Sequence, residues 1–117
     1  MSSGKLTFVI KLEQENDAAI VYLTGSLVAG STAPLRDAVK GLLPKIKRVV
    51  LDMTGLTRMD SMGLGTMVGL YVSAKSAGCE FKMINLGDRV RQLLIISKLD
   101  KLFEGLAETE GYDPRIF

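Results

Sequence analysis

Between residues 35 and 77, two segments with helical spacing enclose one short apolar run, Val49-Val50-Leu51-Asp52-Met53. A run this brief and this continuous is typical of an inner strand in a parallel sheet. Ahead of it, Leu35, Ala38, Val39, Leu42 and Leu43 recur at helical spacing. Ser31 or Thr32 stands where an N-cap belongs, Pro34 falls in the first turn, and Pro44 follows near the end. A helix between two strands is a crossover, which makes those strands parallel and the connection right-handed.

The flanking segments complete the pattern. Residues 5–12 are rich in β-branched and aromatic side chains and read as a strand; residues 13–17 are polar and turn-like. Residues 19–24 read as a second strand, stopped by Gly25. So short a connection makes the first two strands an antiparallel pair. After the apolar run, residues 54–61 read as a loop, and a second helix covers about 62–77 with Gly78 as its stop. Residues 80–85 alternate as a fourth strand, and Gly87-Asp88 opens a third helix carrying Val90, Leu93, Leu94 and Ile95. A short fourth helix is expected over 99–103. The prediction is one α/β domain spanning 1–117, with its core at about 5–104 and a partly irregular tail at 105–117. Its sheet is four-stranded and mixed, an antiparallel hairpin followed by parallel strands, with about four helices packed mainly on one face.

Composition narrows the function. The 15 Lys and Arg against 13 Asp and Glu give a net charge of +2, with the two signs interspersed. No concentrated basic patch speaks for nucleic acid or an anionic membrane. The chain has no histidine, so it lacks the most versatile acid–base group and the commonest metal ligand. No metal-ligand spacing occurs, and no cofactor or small-molecule substrate is expected. The single cysteine, Cys79, reads as a small buried hydrophobe suited to a reducing compartment. With no signal peptide and no apolar stretch long enough to span a membrane, the expected location is cytoplasmic.

The informative stretch is 49–65, where the inner strand leads to Asp60-Ser61-Met62-Gly63-Leu64-Gly65 at the start of the second helix. First-turn N–H groups are unpaired and carry the positive end of the helix dipole. On physical grounds Asp60 and Ser61 are helix caps, a role worth about 1 kcal/mol that accounts for both residue types. The same N–H groups would also accept a phosphate on the Ser61 hydroxyl.

This hexapeptide, preceded by Val49-Val50-Leu51-Asp52 and Met59, resembles the signature of anti-sigma factor antagonists of the STAS family, a strand followed by Asp-Ser-(Ser/Thr)-Gly-Leu-Gly. Leu23-Thr24-Gly25, Ala33-Pro34-Leu35, Gly78, Val90-Arg91-Gln92-Leu93-Leu94 and Leu99-Asp100-Lys101-Leu102-Phe103 extend the likeness to about Ala107. The resemblance implies a non-enzymatic protein that, unphosphorylated, binds an anti-sigma factor and frees a sigma factor. It further implies that the anti-sigma factor is also a serine protein kinase that phosphorylates Ser61, and that a serine phosphatase resets the switch. The implied partner surface is Asp60, Ser61, Met62, Gly63, Leu64 and Gly65 with the loop at Ser26 and Val28.

Two departures bear on that reading. Family members that partner a kinase commonly carry Gly-Glu-Leu-Asp after the second strand, whereas Gly25-Ser26-Leu27-Val28 has neither acid. Met62 replaces the usual Ser or Thr and is either a contact or a filler. The alternative is a constitutive, non-phosphorylated scaffold or an accessory subunit of a transporter or lipid-export complex. Gly63-Leu64-Gly65-Thr66-Met67-Val68-Gly69 is one residue too long for a dinucleotide fingerprint. Gly65, Gly69 and Ser73 form a small-residue stripe, for close packing on the sheet or a flat docking surface. Asp52 is expected to be structural, and without a nucleophile–base pair no enzyme is expected.

Overall fold

A computed structural model describes residues 5–98. The chain forms β1 (Thr7–Glu13), β2 (Ala18–Leu27), α1 (Ala33–Leu42), β3 (Arg48–Met59), α2 (Ser61–Ser76), β4 (Glu80–Ile84) and α3 (Asp88–Ile96). Short 3-10 turns at Gln14–Asn16 and Leu43–Lys45 join β1 to β2 and follow α1. The sheet order is β1-β2-β3-β4. β1 and β2 pair antiparallel, and β2, β3 and β4 are mutually parallel neighbours. Three helices are present among the described residues; the expected fourth, at 99–103, lies outside them.

Strand alternation assigns the two sheet faces. Ala19, Val21, Leu23, Val49, Leu51, Met53, Phe81 and Met83 point to one side and are buried. Leu35 and Val39 of α1, Leu64, Met67, Leu70 and Ala74 of α2, and Val90 and Leu94 of α3 form a single apolar cluster with all of these but Ala19. Tyr71 sets its ring edge-on to Phe81, with centroids 5.9 Å apart. On the other face Val9 and Tyr22 remain exposed, so the helices cover one side only. Cys79 is buried beneath them, its Sγ 3.0 and 3.3 Å from the carbonyl oxygens of Ile46 and Leu43, and burial pushes its thiol pKa up.

β2 and β3 run further than their sequences suggest. Residues 54–59 are strand rather than loop, and β2 continues through Gly25 to Leu27. The register explains the discrepancy. Tyr22 pairs with Asp52 but Thr24 with Gly55, and Gly25 pairs with Leu56 but Ser26 with Arg58. Each step places one extra residue in β3, so two bulges interrupt the alternation. Buried positions therefore pass from 49, 51 and 53 to 56, and the phase slip disguises the strand's second half. At the second bulge Thr57 Oγ1 donates to the Gly25 carbonyl at 3.0 Å.

Gly25 is thus a bend within β2 rather than its end. Its φ is +98°, in the left-handed region, and a Cβ there would collide with the Lys5 carbonyl. Gly25→Ala is expected to cost about 2 kcal/mol or more, combining the positive φ with the clash. A urea midpoint unchanged from the wild type would contradict this account of the bend.

Candidate functional site

Because β2 and β3 are parallel, they end at the same edge of the sheet and deliver α1 and α2 side by side. The connection from β2 to α1, residues 28–32, therefore lies against the start of α2. Asp60 joins the two. Its Oδ1 accepts from the Gly63 N–H at 2.9 Å, capping α2, and its Oδ2 accepts from the Ala29 N–H at 3.0 Å. The backbone adds a third link, Asp60 N–H to the Leu27 carbonyl at 3.4 Å. Hydrogen bonds from the Gly63 and then the Ala29 amide hold the Asp60 carboxyl below the usual carboxylate range.

The neighbouring loop is organised by a second hydroxyl. Ser31 Oγ accepts from Val28 N–H at 3.0 Å and lies 3.0 and 2.9 Å from the Ser26 and Val28 carbonyl oxygens. Neither Ser31 nor Thr32 caps α1 through its side chain, contrary to the sequence expectation: Ser31 is spent on its own turn, and Thr32 already has helical φ and ψ. Ser26 is 2% exposed, and its hydroxyl has no hydrogen-bond partner. A body resting on this loop would meet half-buried Val28 and exposed Ala29 before Ser26.

Ser61 is the first residue of α2, exposed and without a hydrogen-bond partner for its hydroxyl. Met62 beside it is 60% exposed. Gly63 and Leu64 turn inward and are buried. A Cβ on Gly63 would run into the Leu27 carbonyl, so the first turn of α2 sits directly on the end of β2. Gly65 behaves differently: neither it nor Gly69 has anything near where a Cβ would be. The small-residue stripe does not serve close packing on the sheet. Its glycines line an open groove of about 260 Å³ between α1 and α2, which also holds Ser61, Met62, Arg36 and Lys40. Sequence reasoning missed the two cations; their spacing of four on α1 was the available signal.

Away from this groove, Asp52 has the structural role expected. Its Oδ1 accepts from the Thr54 N–H and Oγ1 at 2.9 and 2.6 Å and from Asn85 Nδ2 at 3.4 Å. Partial burial opposes its ionisation, but these bonds outweigh it and lower its pKa. A separate depression of about 240 Å³ lies between the end of β3 and α3, lined by Arg58, Met59, Arg89 and Val90.

The family model of the STAS domain matches residues 9–112. The chain belongs to the STAS domain family. Among STAS relatives it is similar to the anti-sigma-B factor antagonist of Bacillus subtilis, 29% identical over 99 residues that cover 85% of this chain and 90% of the relative. The Listeria monocytogenes protein of the same name is 28% identical over 100 residues, covering 85% and 87%. The solved structure of the anti-sigma factor antagonist SpoIIAA in its unphosphorylated form superposes with a TM-score of 0.70 at 18% identity, covering 80% of this chain and 82% of that one. That likeness establishes a shared STAS fold.

Two expectations follow from the geometry. Gly63→Ala should lose about 1–3 kcal/mol in urea denaturation, because α2 must move off β2 to admit a methyl group; an unchanged midpoint would contradict the close approach. The lowered pKa of Asp60 contributes stability that is complete above about pH 4 and lost as pH falls through the folded value. Wild-type protein should therefore lose more stability than Asp60→Asn on acidification from about pH 5 to about pH 2. Parallel acid-denaturation curves would show that the two amide bonds do not favour the charged form.

Proposed function

We propose that this STAS domain is an anti-sigma factor antagonist that acts by binding rather than catalysis. Unphosphorylated, it engages an anti-sigma factor that is also a serine protein kinase, and a sigma factor is released. Phosphorylation of Ser61 ends the engagement, and a serine phosphatase restores it. A cytoplasmic location goes with this reading; no helix among the described residues is long and apolar enough to cross a membrane.

One observation carries the proposal: Ser61 stands exposed and unbonded at the start of a helix whose capping is done by the residue before it. Asp60 caps α2, which leaves the Ser61 hydroxyl free of a structural task. The names of the Bacillus and Listeria relatives support the same role. Met62, Gly65 and Val28 are the partner contacts we assign at the surface, with Asp60, Gly63, Leu64 and Ser26 shaping them from beneath. A phosphoserine at 61 would bring about −1.5 to −2 charges into this interface, close to the Asp60 carboxylate. An ill-paired charge buried there costs about 2–5 kcal/mol, enough to release a partner.

The test begins with intact-mass analysis and peptide mapping of protein from its native host. An addition of about 80 Da on Ser61 that varies with growth condition is expected, as for a phosphorylated hydroxyl. Ser61→Glu should bind the anti-sigma factor at least about 30-fold more weakly than the wild type. Ser61 unmodified in every condition, with Ser61→Ala and Ser61→Glu behaving as wild type, would sink the switch. It would favour the constitutive scaffold or transporter-associated subunit, the reading to which the missing acids at Ser26 and Val28 point.

A further inference from the structure

A phosphate on Ser61 has less backbone to bind than a bare helix N-terminus offers. The Gly63 N–H, which ordinarily faces such an anion, is donated to Asp60 Oδ1 at 2.9 Å. Asp60 itself adds a like charge. α2 carries no cationic side chain near its start, so a side-chain counter-charge for the phosphate comes from another element.

The facing helix supplies it. Arg36 and Lys40 of α1 line the same groove as Ser61, across the open floor made by Gly65 and Gly69. α1 and α2 start from the same sheet edge, and side chains on a helix lean toward its N-terminus. The Cα–Cβ bonds of Arg36 and Lys40 therefore tilt toward the end of the groove where Ser61 stands. Lys40 makes no ion pair among the described residues. The Arg36 guanidinium has only a loose contact with Asp37, Nε to Oδ1 at 3.7 Å, between two well-exposed side chains. Surface pairs of that kind hold their partners weakly. Gly65 and Gly69 add no side chain to the groove, and the α2 side chains that line it, Ser61, Met62 and Thr66, carry no charge.

We propose that Arg36 and Lys40 form a built-in receptor for the phosphate of phosphorylated Ser61, so that the modified side chain folds into the α1–α2 groove and fills it. The inference rests on phosphorylation of Ser61 as read above. It adds a consequence for regulation. The unmodified groove presents two positive charges and an open floor to a partner; the modified groove is closed by its own dianion and close to neutral. The nearest acidic neighbours are Asp37, in contact with Arg36, and Asp60, beside Ser61, and both oppose the pairing.

The test requires no partner and no kinase. Phosphoserine is installed at position 61 of the full chain during translation, and the phosphate is titrated by 31P NMR. Paired to two cations, its second ionisation should fall about half a unit or more below the value near 6 of free phosphoserine. In Arg36→Gln/Lys40→Gln it should return to that value. In Lys11→Gln/Lys45→Gln, which removes the same net charge away from the groove, it should stay low. An identical titration in the wild type and the Arg36/Lys40 variant would overturn the receptor, as would an equal return toward the free value in the Lys11/Lys45 variant. All four side chains are on the exposed surface, so the variants are expected to fold. Because phosphoserine is installed during translation and not by a kinase, absence of Ser61 phosphorylation in the native host would be a separate finding, against the switch and not against the receptor.

Discussion

The two oxygens of the Asp60 carboxylate connect the start of α2 to the loop that leads into α1, with Gly63 N–H at 2.9 Å on one side and Ala29 N–H at 3.0 Å on the other. Much at this end of the molecule depends on that connection. Parallel pairing of β2 and β3 brings the two helix starts together, but parallel strands alone would leave the intervening loop free to shift. The carboxylate fixes the loop to the helix, and Ser31 then closes the loop upon itself through the Ser26 and Val28 backbone. Gly63 makes the arrangement sterically feasible, because any side chain there would meet the Leu27 carbonyl.

This division of labour explains how a serine in a first helical turn can be left available. Capping is a stabilising task that Ser residues frequently perform. Here the neighbouring aspartate performs it, with a charge better suited to the positive end of the helix. The Ser61 hydroxyl can then be exposed, modified or covered without unfolding α2. The same division means that the helix N-terminus is already partly neutralised, so an added phosphate has reason to look across the groove to α1. In the proposed switch, stability and modification thus fall to adjacent residues, Asp60 and Ser61, rather than to one.

Much of the fold was legible in the sequence because its signals are local. Helical spacing in 35–43, the Gly78 stop and the alternation in 80–85 each mark an element within a residue or two of its observed bounds. The antiparallel hairpin and the crossover followed from connection lengths. The second half of β3 was not legible, since two bulges shift its buried positions from 53 to 56 and break the alternation on which a strand is recognised. Nor could spacing decide which glycines pack closely. Gly63 and Gly65 are two residues apart on one helix, yet one touches β2 and the other faces open space. That distinction is set by where α2 lands on the sheet, a long-range property. The same applies to Arg36 and Lys40, ordinary surface cations on α1 until the parallel helices bring them opposite Ser61.

One carboxylate holds both the helix and the loop. The most direct measurement is an NMR titration of the Ala29 and Gly63 amide protons through the acid range. If Asp60 bonds both, the two shifts follow a single transition with a common midpoint below the ordinary carboxylate value, and both transitions vanish in Asp60→Asn. Different midpoints for the two amides, or an Ala29 shift that persists without the carboxylate, would contradict it.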